Sequence, residues 1–282
     1  MFSTLLQPAD LMGHLADPLW LVVDCRFELA DPGAGERAWA DAHLPGALYA
    51  HLDRDLSGPV TPQTGRHPLP SPEAFAATLS RWGVTPGTQV VAYDASSGMF
   101  AARLWWMLRW AGHDRAAVLD GGLQAWLLAG GRLDQSVQQR EAVAFRPAWR
   151  HAMALGSGEV AASLGAGSLL LVDARGAERF EGRAEPIDPV AGHVPGAVNH
   201  PCTWNVGPDG RFLPPAALQQ RWLETLGGRE PAAVACMCGS GVTACHDLLA
   251  LEHAGLPGAR LYPGSWSEWV RDPSRPVARG TQ

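Results

Sequence analysis

The chain repeats itself once, and that repeat limits its possible folds more than any other feature. The segment LVVDCRFELADPGAGERAWADAHLPGALYAHL begins at Leu21, and LLLVDARGAERFEGRAEPIDPVAGHVPGAVNHP begins at Leu169. Each reads as an apolar strand, an Asp, a polar stretch and then His-x-Pro-Gly-Ala. A second pair follows in the same order, TQVVAYDASSGMFAARLWWMLRWAGHDRAAVLDGGLQAW from Thr88 and AAVACMCGSGVTACHDLLALEHAGLPGARLYPGSWSEW from Ala232. Each of these gives a short apolar strand, a small-residue loop, an amphipathic helix, a Gly, another strand and an aromatic turn.

A single repeat at about half the chain length means two homologous domains, because a solenoid needs several short units. Continuous apolar strands alternating with helical stretches predict an α/β fold, a central mainly parallel sheet flanked by helices in each half. The expected division is an N-terminal domain over 1–137, a weakly periodic linker over 138–150 and a C-terminal domain over 151–282. A hydrophobic content of 46% suits packed cores of this kind. The 12 Trp residues, several at matching places in the two halves, are read as core and interface anchors.

Composition also removes function classes. The net charge is −6, and nucleic-acid binding wants a concentrated basic surface instead. Every basic side chain is Arg, so Schiff-base chemistry and lysine-dependent phosphate loops are excluded. No stretch approaches the roughly 20 apolar residues of a membrane span, and the N-terminal residues lack the basic start and apolar run of a secretory signal. The cysteines are Cys25, Cys202, Cys236, Cys238 and Cys245. Their odd number and crowding do not suit a disulfide framework, and there is no CxxC pair or His/Cys ligand spacing of the zinc kind. A reducing, cytoplasmic setting with a functional thiol is expected.

Repeated features are read as scaffold. His43 and His193 open the two His-x-Pro-Gly-Ala turns and are expected to stabilise them. Asp24 and Asp173 end strands and are expected to bond neighbouring backbone. Chemistry is expected where the halves differ, YDASSGMFAAR against CMCGSGVTACH, with Asp94 in the place of Cys238. Only the second half puts a thiol at a strand's carboxyl end, before a Gly-rich loop and a helix start. Ligands of open parallel sheets bind at such ends. Backbone N–H groups of a small-residue loop can form an anion nest, and the helix N-terminus adds roughly half a positive charge. This setting favours a thiolate, and a persulfide anion on the same sulfur. Gly239 and Gly241 permit the loop's backbone angles, while Ser240 and Thr243 add hydroxyls. Cys236 and Cys245 are read as structural, with a resolving role open for Cys245.

These residues resemble the rhodanese superfamily, specifically its tandem-domain thiosulfate and 3-mercaptopyruvate sulfurtransferases. The resemblance covers nearly the whole chain. It rests on both His-x-Pro-Gly-Ala turns, on a cysteine in the second loop only, and on YPGSWSEW. The loop CGSGVTA, Cys238–Ala244, resembles the mercaptopyruvate type, whereas the thiosulfate type carries basic residues there. The resemblance implies sulfur transfer through a Cys238 persulfide, with Gly239, Gly241, Val242 and Thr243 lining the loop. Neither metal nor organic cofactor is implied, and the acceptor would be a thiol, thioredoxin or cyanide. Arg179 matches the family's carboxylate-binding position, a task that suits a guanidinium fork. A second Arg often follows the family's Glu-Pro; here Ile187 stands there, and Arg183 is near but out of register. Asp53 and His67 match acidic and imidazole groups that, with Ser240, would handle protons beside Cys238.

Three other readings stay open at this level. Thiosulfate could be the main donor. A cysteine phosphatase would need a larger loop with an Arg where Ala244 stands. A non-enzymatic persulfide carrier would use the same cysteine without turnover.

Overall fold

A computed structural model describes residues 1–281 of the chain. They form two compact units, one of residues 1–58, 70–150 and 208–212, the other of 59–69, 151–207 and 213–282.

The first unit holds strands β1 (Leu5–Leu6), β2 (Trp20–Asp24), β3 (Leu48–Tyr49), β4 (Gln89–Tyr93) and β5 (Ala116–Leu119). All pair in parallel, in the order β1-β5-β4-β2-β3. Its helices are α1 (Pro8–Met12), α2 (Ala34–Asp41), α3 (Leu52–Asp55), α4 (Pro72–Arg81), α5 (Ala101–Trp110) and α6 (Gly122–Leu128). Every residue of β4 and β5 is buried, as a strand covered on both faces requires. Helix α4 starts where it does because Ser71 Oγ accepts the Ala74 N–H at 3.2 Å and Pro72 fixes the first turn.

The second unit repeats the plan with β6 (Leu170–Asp173), β7 (Val198–Asn199), β8 (Val234–Met237) and β9 (Arg260–Leu261). Its sheet is again parallel, in the order β7-β6-β8-β9. This matches β3-β2-β4-β5 of the first unit. Where β1 pairs with β5, the second unit has only an isolated bridge, Ala154 to Leu261. Its helices are α7 (Ser157–Gly165), α8 (Ala177–Phe180), α9 (Pro215–Leu226), α10 (Ala244–His253) and α11 (Ser265–Trp269). Helix α9 stops at Gly227, which takes a left-handed φ of 57°.

Each unit has its own core. Leu11, Val22, Val91, Leu119 and Trp126 belong to the first, and Val160, Leu171, Met237, Tyr262 and Trp266 to the second. Each such side chain contributes roughly 1.5–3 kcal/mol by leaving water. The aromatic turns correspond. Trp126 Nε1 donates to Arg132 O and Trp269 Nε1 to Pro276 O, both at 2.9 Å.

The scaffold residues behave alike in both halves. Asp24 accepts the Arg26 N–H at 2.9 Å, and Asp173 the Arg175 N–H at 3.0 Å. Each also pairs with the guanidinium of that Arg, which reaches on to a backbone carbonyl, Ala42 or Gly192. His43 bonds Trp39 O and Ser136 O; His193 bonds Phe180 O and stacks on the Phe180 ring.

The division differs from a cut into three consecutive stretches. Residues 138–150 carry no regular secondary structure and are bonded along the first unit. Arg140 donates to Trp82 O, Val143 N to Ser80 O, and Ala148 N to Ala111 O. Gly112, with φ +85°, makes this possible, because a Cβ there would lie 2.6 Å from Ala148 O. Residues 59–69 precede α4 in sequence yet belong to the second unit.

Candidate active site

Strands β6 and β8 lie side by side, and Cys238 follows the last residue of β8. It is 2% exposed. Helix α11 and the turn before it fix the loop that follows. Cys238 N–H donates to Ser265 Oγ at 3.0 Å, Trp266 N–H to Cys238 O at 3.0 Å, and Ser267 N–H to Gly239 O at 2.9 Å. YPGSWSEW is therefore the backing of the loop. Ser265 holds this post at φ +55°, a conformation uncommon outside Gly.

Within the loop, Gly241 N–H donates to Cys238 Sγ at 3.1 Å, the inward-pointing donor an anion nest requires. Gly241 has φ +77°, and a Cβ on it would sit 2.3 Å from Pro263 O. Val242 is buried, and Thr243 directly precedes α10 without a side-chain capping bond. Burial pushes the thiols of Cys25, Cys202 and Cys236 well above their ordinary range, so these three stay protonated. Cys245 donates its S–H to Gly241 O at 3.4 Å.

The first unit shows what such a loop does with a fixed anion. Asp94 is buried and accepts N–H bonds from Ser96, Gly98, Phe100 and Ala101 at 2.7–2.9 Å. Burial raises its pKa, and the four donors counter part of that rise.

The segment 59–69 brings two further side chains to the second unit's loop. His67 Nδ1 lies 2.7 Å from Ser240 Oγ. Arg66 N–H donates to Ser267 Oγ at 3.0 Å, tying the segment to α11. A Cβ on Gly239 would lie 2.8 Å from Arg66 Nη2 and 3.6 Å from both terminal nitrogens of Arg179. Two guanidiniums thus converge on the loop next to Cys238, where bulk at position 239 would displace one of them. Arg66 Nε is buried without a hydrogen-bond partner.

These cations are held by carboxylates from AEPIDP. Arg179 forms a fork with Glu185, at 2.7–3.1 Å, and reaches Asp188 Oδ2 at 3.1 Å. Asp188 Oδ1 accepts from Arg66 Nη1. Burial disfavours the Glu185 charge, but the Arg179 fork and the Ile187 and Asp188 N–H groups overcome this and hold its pKa low. Arg175, buried and paired with Asp173 and Glu185, lies 4.8 Å from the Trp266 ring centre.

Several expectations meet their structural outcome here. Ser240, Gly239, Gly241, Val242, Arg179 and His67 are brought together around Cys238. Arg183 is not; its side chain is 57% exposed and pairs with Glu178 and Glu181. Ile187 is 44% exposed. Asp53 lies in α3 of the first unit, where its N–H donates to His51 Nδ1. Sequence reasoning missed Arg66, whose only signal was standing next to His67. Among the described residues no group of three or more His, Cys, Asp or Glu could hold a metal, and no helix is long and apolar enough to cross a membrane.

Comparison with known proteins agrees with this architecture. The Rhodanese-like domain family matches residues 7–129 and again 157–272. A Pseudomonas aeruginosa protein named "Probable 3-mercaptopyruvate sulfurtransferase" is 49% identical over 280 residues, 99% of each chain. An Arabidopsis thaliana protein named "Thiosulfate/3-mercaptopyruvate sulfurtransferase 2" is 34% identical over 261 residues, covering 84% of this chain and 75% of that one. The solved 3-mercaptopyruvate sulfurtransferase from Leishmania major superposes with a TM-score of 0.83 at 32% identity, over 95% of this chain and 74% of that one.

Proposed function

The chain belongs to the rhodanese family and is a sulfurtransferase, and from that premise we propose that it moves sulfur from 3-mercaptopyruvate to a thiol through a persulfide on Cys238. The observation that carries this reading is the convergence of Arg66 and Arg179 on Gly239, beside a sulfur that accepts the Gly241 N–H. The substrate carboxylate would bind the guanidiniums, leaving its thiol sulfur near Cys238 Sγ.

Cys238 thiolate attacks the substrate sulfur. The S–S bond forms as the carbon–sulfur bond breaks, and the electron pair leaves on pyruvate as its enolate. The proton lost from the substrate thiol reaches the enolate carbon, giving pyruvate and a Cys238 persulfide anion. Ser240 and His67, 2.7 Å apart, are the groups proposed to handle that proton. An acceptor thiol then takes the outer sulfur and releases Cys238 thiolate. Thioredoxin or a small thiol fits this step, and cyanide can replace it. Five free cysteines suit work in a reducing, cytoplasmic compartment.

Whole-protein mass spectrometry after mercaptopyruvate tests the reading. A one-sulfur adduct is expected on the wild type and absent from Cys238→Ser. No adduct on the wild type, or one that survives the substitution, would sink it. Thiosulfate as main donor is the second reading, favoured by the two guanidiniums at the loop. Comparing kcat/KM for the two donors decides between them.

A further inference from the structure

Between the two guanidiniums stands a carboxylate that the proposed chemistry does not use. Asp188 gives one oxygen to Arg66 and the other to Arg179, and its side chain is 3% exposed. Arg179 does not need it as a counter-ion, because Glu185 already clasps that guanidinium through two nitrogens. Arg175 is matched by Asp173. Arg66 and Arg179 are thus offset by Glu185 and Asp188, and the pocket beside Gly239 is neutral overall while keeping its donors. Burial opposes the charge on Asp188, Arg66 favours it and Glu185 opposes it again; the result is a raised pKa. Glu185 is the firmly ionised partner and Asp188 the costly one.

We propose that Asp188 is a specificity-determining residue, cancelling one positive charge between Arg66 and Arg179 so that the pocket takes a monocarboxylate sulfur donor over a dianion. The inference rests on the reading of those two Arg residues as the anion site. Coulomb energy scales with ligand charge. If removing the Asp188 charge raises monoanion affinity by some factor, it raises dianion affinity by about the square of that factor. The ratio between donors therefore moves by the factor itself, roughly tenfold for a charge this close.

The test uses Asp188→Asn, with Asp188→Glu as the charge-keeping control. In Asp188→Asn the thiosulfate to mercaptopyruvate ratio of kcat/KM is expected to rise roughly tenfold. By calorimetry, inorganic sulfate should gain more affinity than pyruvate. Asp188→Glu should keep the wild-type ratio. An unchanged or reduced ratio in folded Asp188→Asn, with no differential gain for sulfate, overturns the proposal. Asp188→Ser repeats the measurement if the amide variant does not fold. The calorimetric arm needs no turnover. A wild type that forms no persulfide defeats the functional reading but still reports on Asp188, and a normal persulfide with an unmoved ratio defeats Asp188 alone.

Discussion

His67 and Ser240 are 173 residues apart in sequence, and their side chains meet at 2.7 Å inside one unit of the fold. Both are buried, so the contact is kept from solvent beside Cys238. If the pair carries the proton, His67→Ala and Ser240→Ala should each lower kcat by about 10²-fold. The double variant should be little worse than either single one, because the two groups act as one unit. Fully additive losses in steady-state kinetics would mean that they act separately.

Arg66 and Arg179 should show themselves in KM. Lysine at either position keeps the charge but loses the planar fork. A KM for mercaptopyruvate raised about 10-fold or more, with kcat changed less, is expected for Arg66→Lys and Arg179→Lys. Arg183→Lys, at an exposed site, should leave both constants unchanged.

Gly241 is a backbone requirement. Its φ of +77° and the 2.3 Å approach of a Cβ to Pro263 O leave no room for Ala. Gly241→Ala should cost about 1–3 kcal/mol of stability, read by denaturant unfolding, and should abolish persulfide formation as the loop shifts. Gly176→Ala, with open space at its Cβ, is the control.

His200 predicts an acid limit to stability. It stacks on Trp222 at 3.8 Å and bonds Thr225 and Asn205. Burial lowers its pKa from 6.5 to about 4. The folded state therefore resists protonation that the unfolded chain accepts near 6.5. His200 contributes stability above that value and loses it as pH falls towards 4. The loss is about 3 kcal/mol over the window. Urea unfolding of His200→Gln should show a shallower decline between pH 6.5 and 4 than the wild type.

The fold was legible because its signals are local. The apolar runs that became β2, β4, β6 and β8 are continuous, the turns between them carry Gly and Pro, and the repeat gave each reading twice. Cys238 was legible for the same reason, since strand end, loop and helix start lie within a dozen residues. Arg66 was not. It sits in a loop of the first half, while its partner Asp188 is 122 residues away. Residues 138–150 read as a linker because they lack periodicity, and their bonds to distant backbone, Val143 N–H to Ser80 O and Ala148 N–H to Ala111 O, leave no mark in the sequence.

By itself, then, the sequence determined two parallel α/β units and a single Gly-rich loop with a cysteine at a strand's carboxyl end, because strand burial, helix capping and turn geometry are decided by near neighbours. Only the tertiary structure decided the electrostatics of that loop. CGSGVTA is neutral as written, but the fold sets Arg66 and Arg179 against Gly239 and then balances them with Glu185 and Asp188. Charges act through space, and which of them face one another depends on how residues 59–69 dock on the second unit.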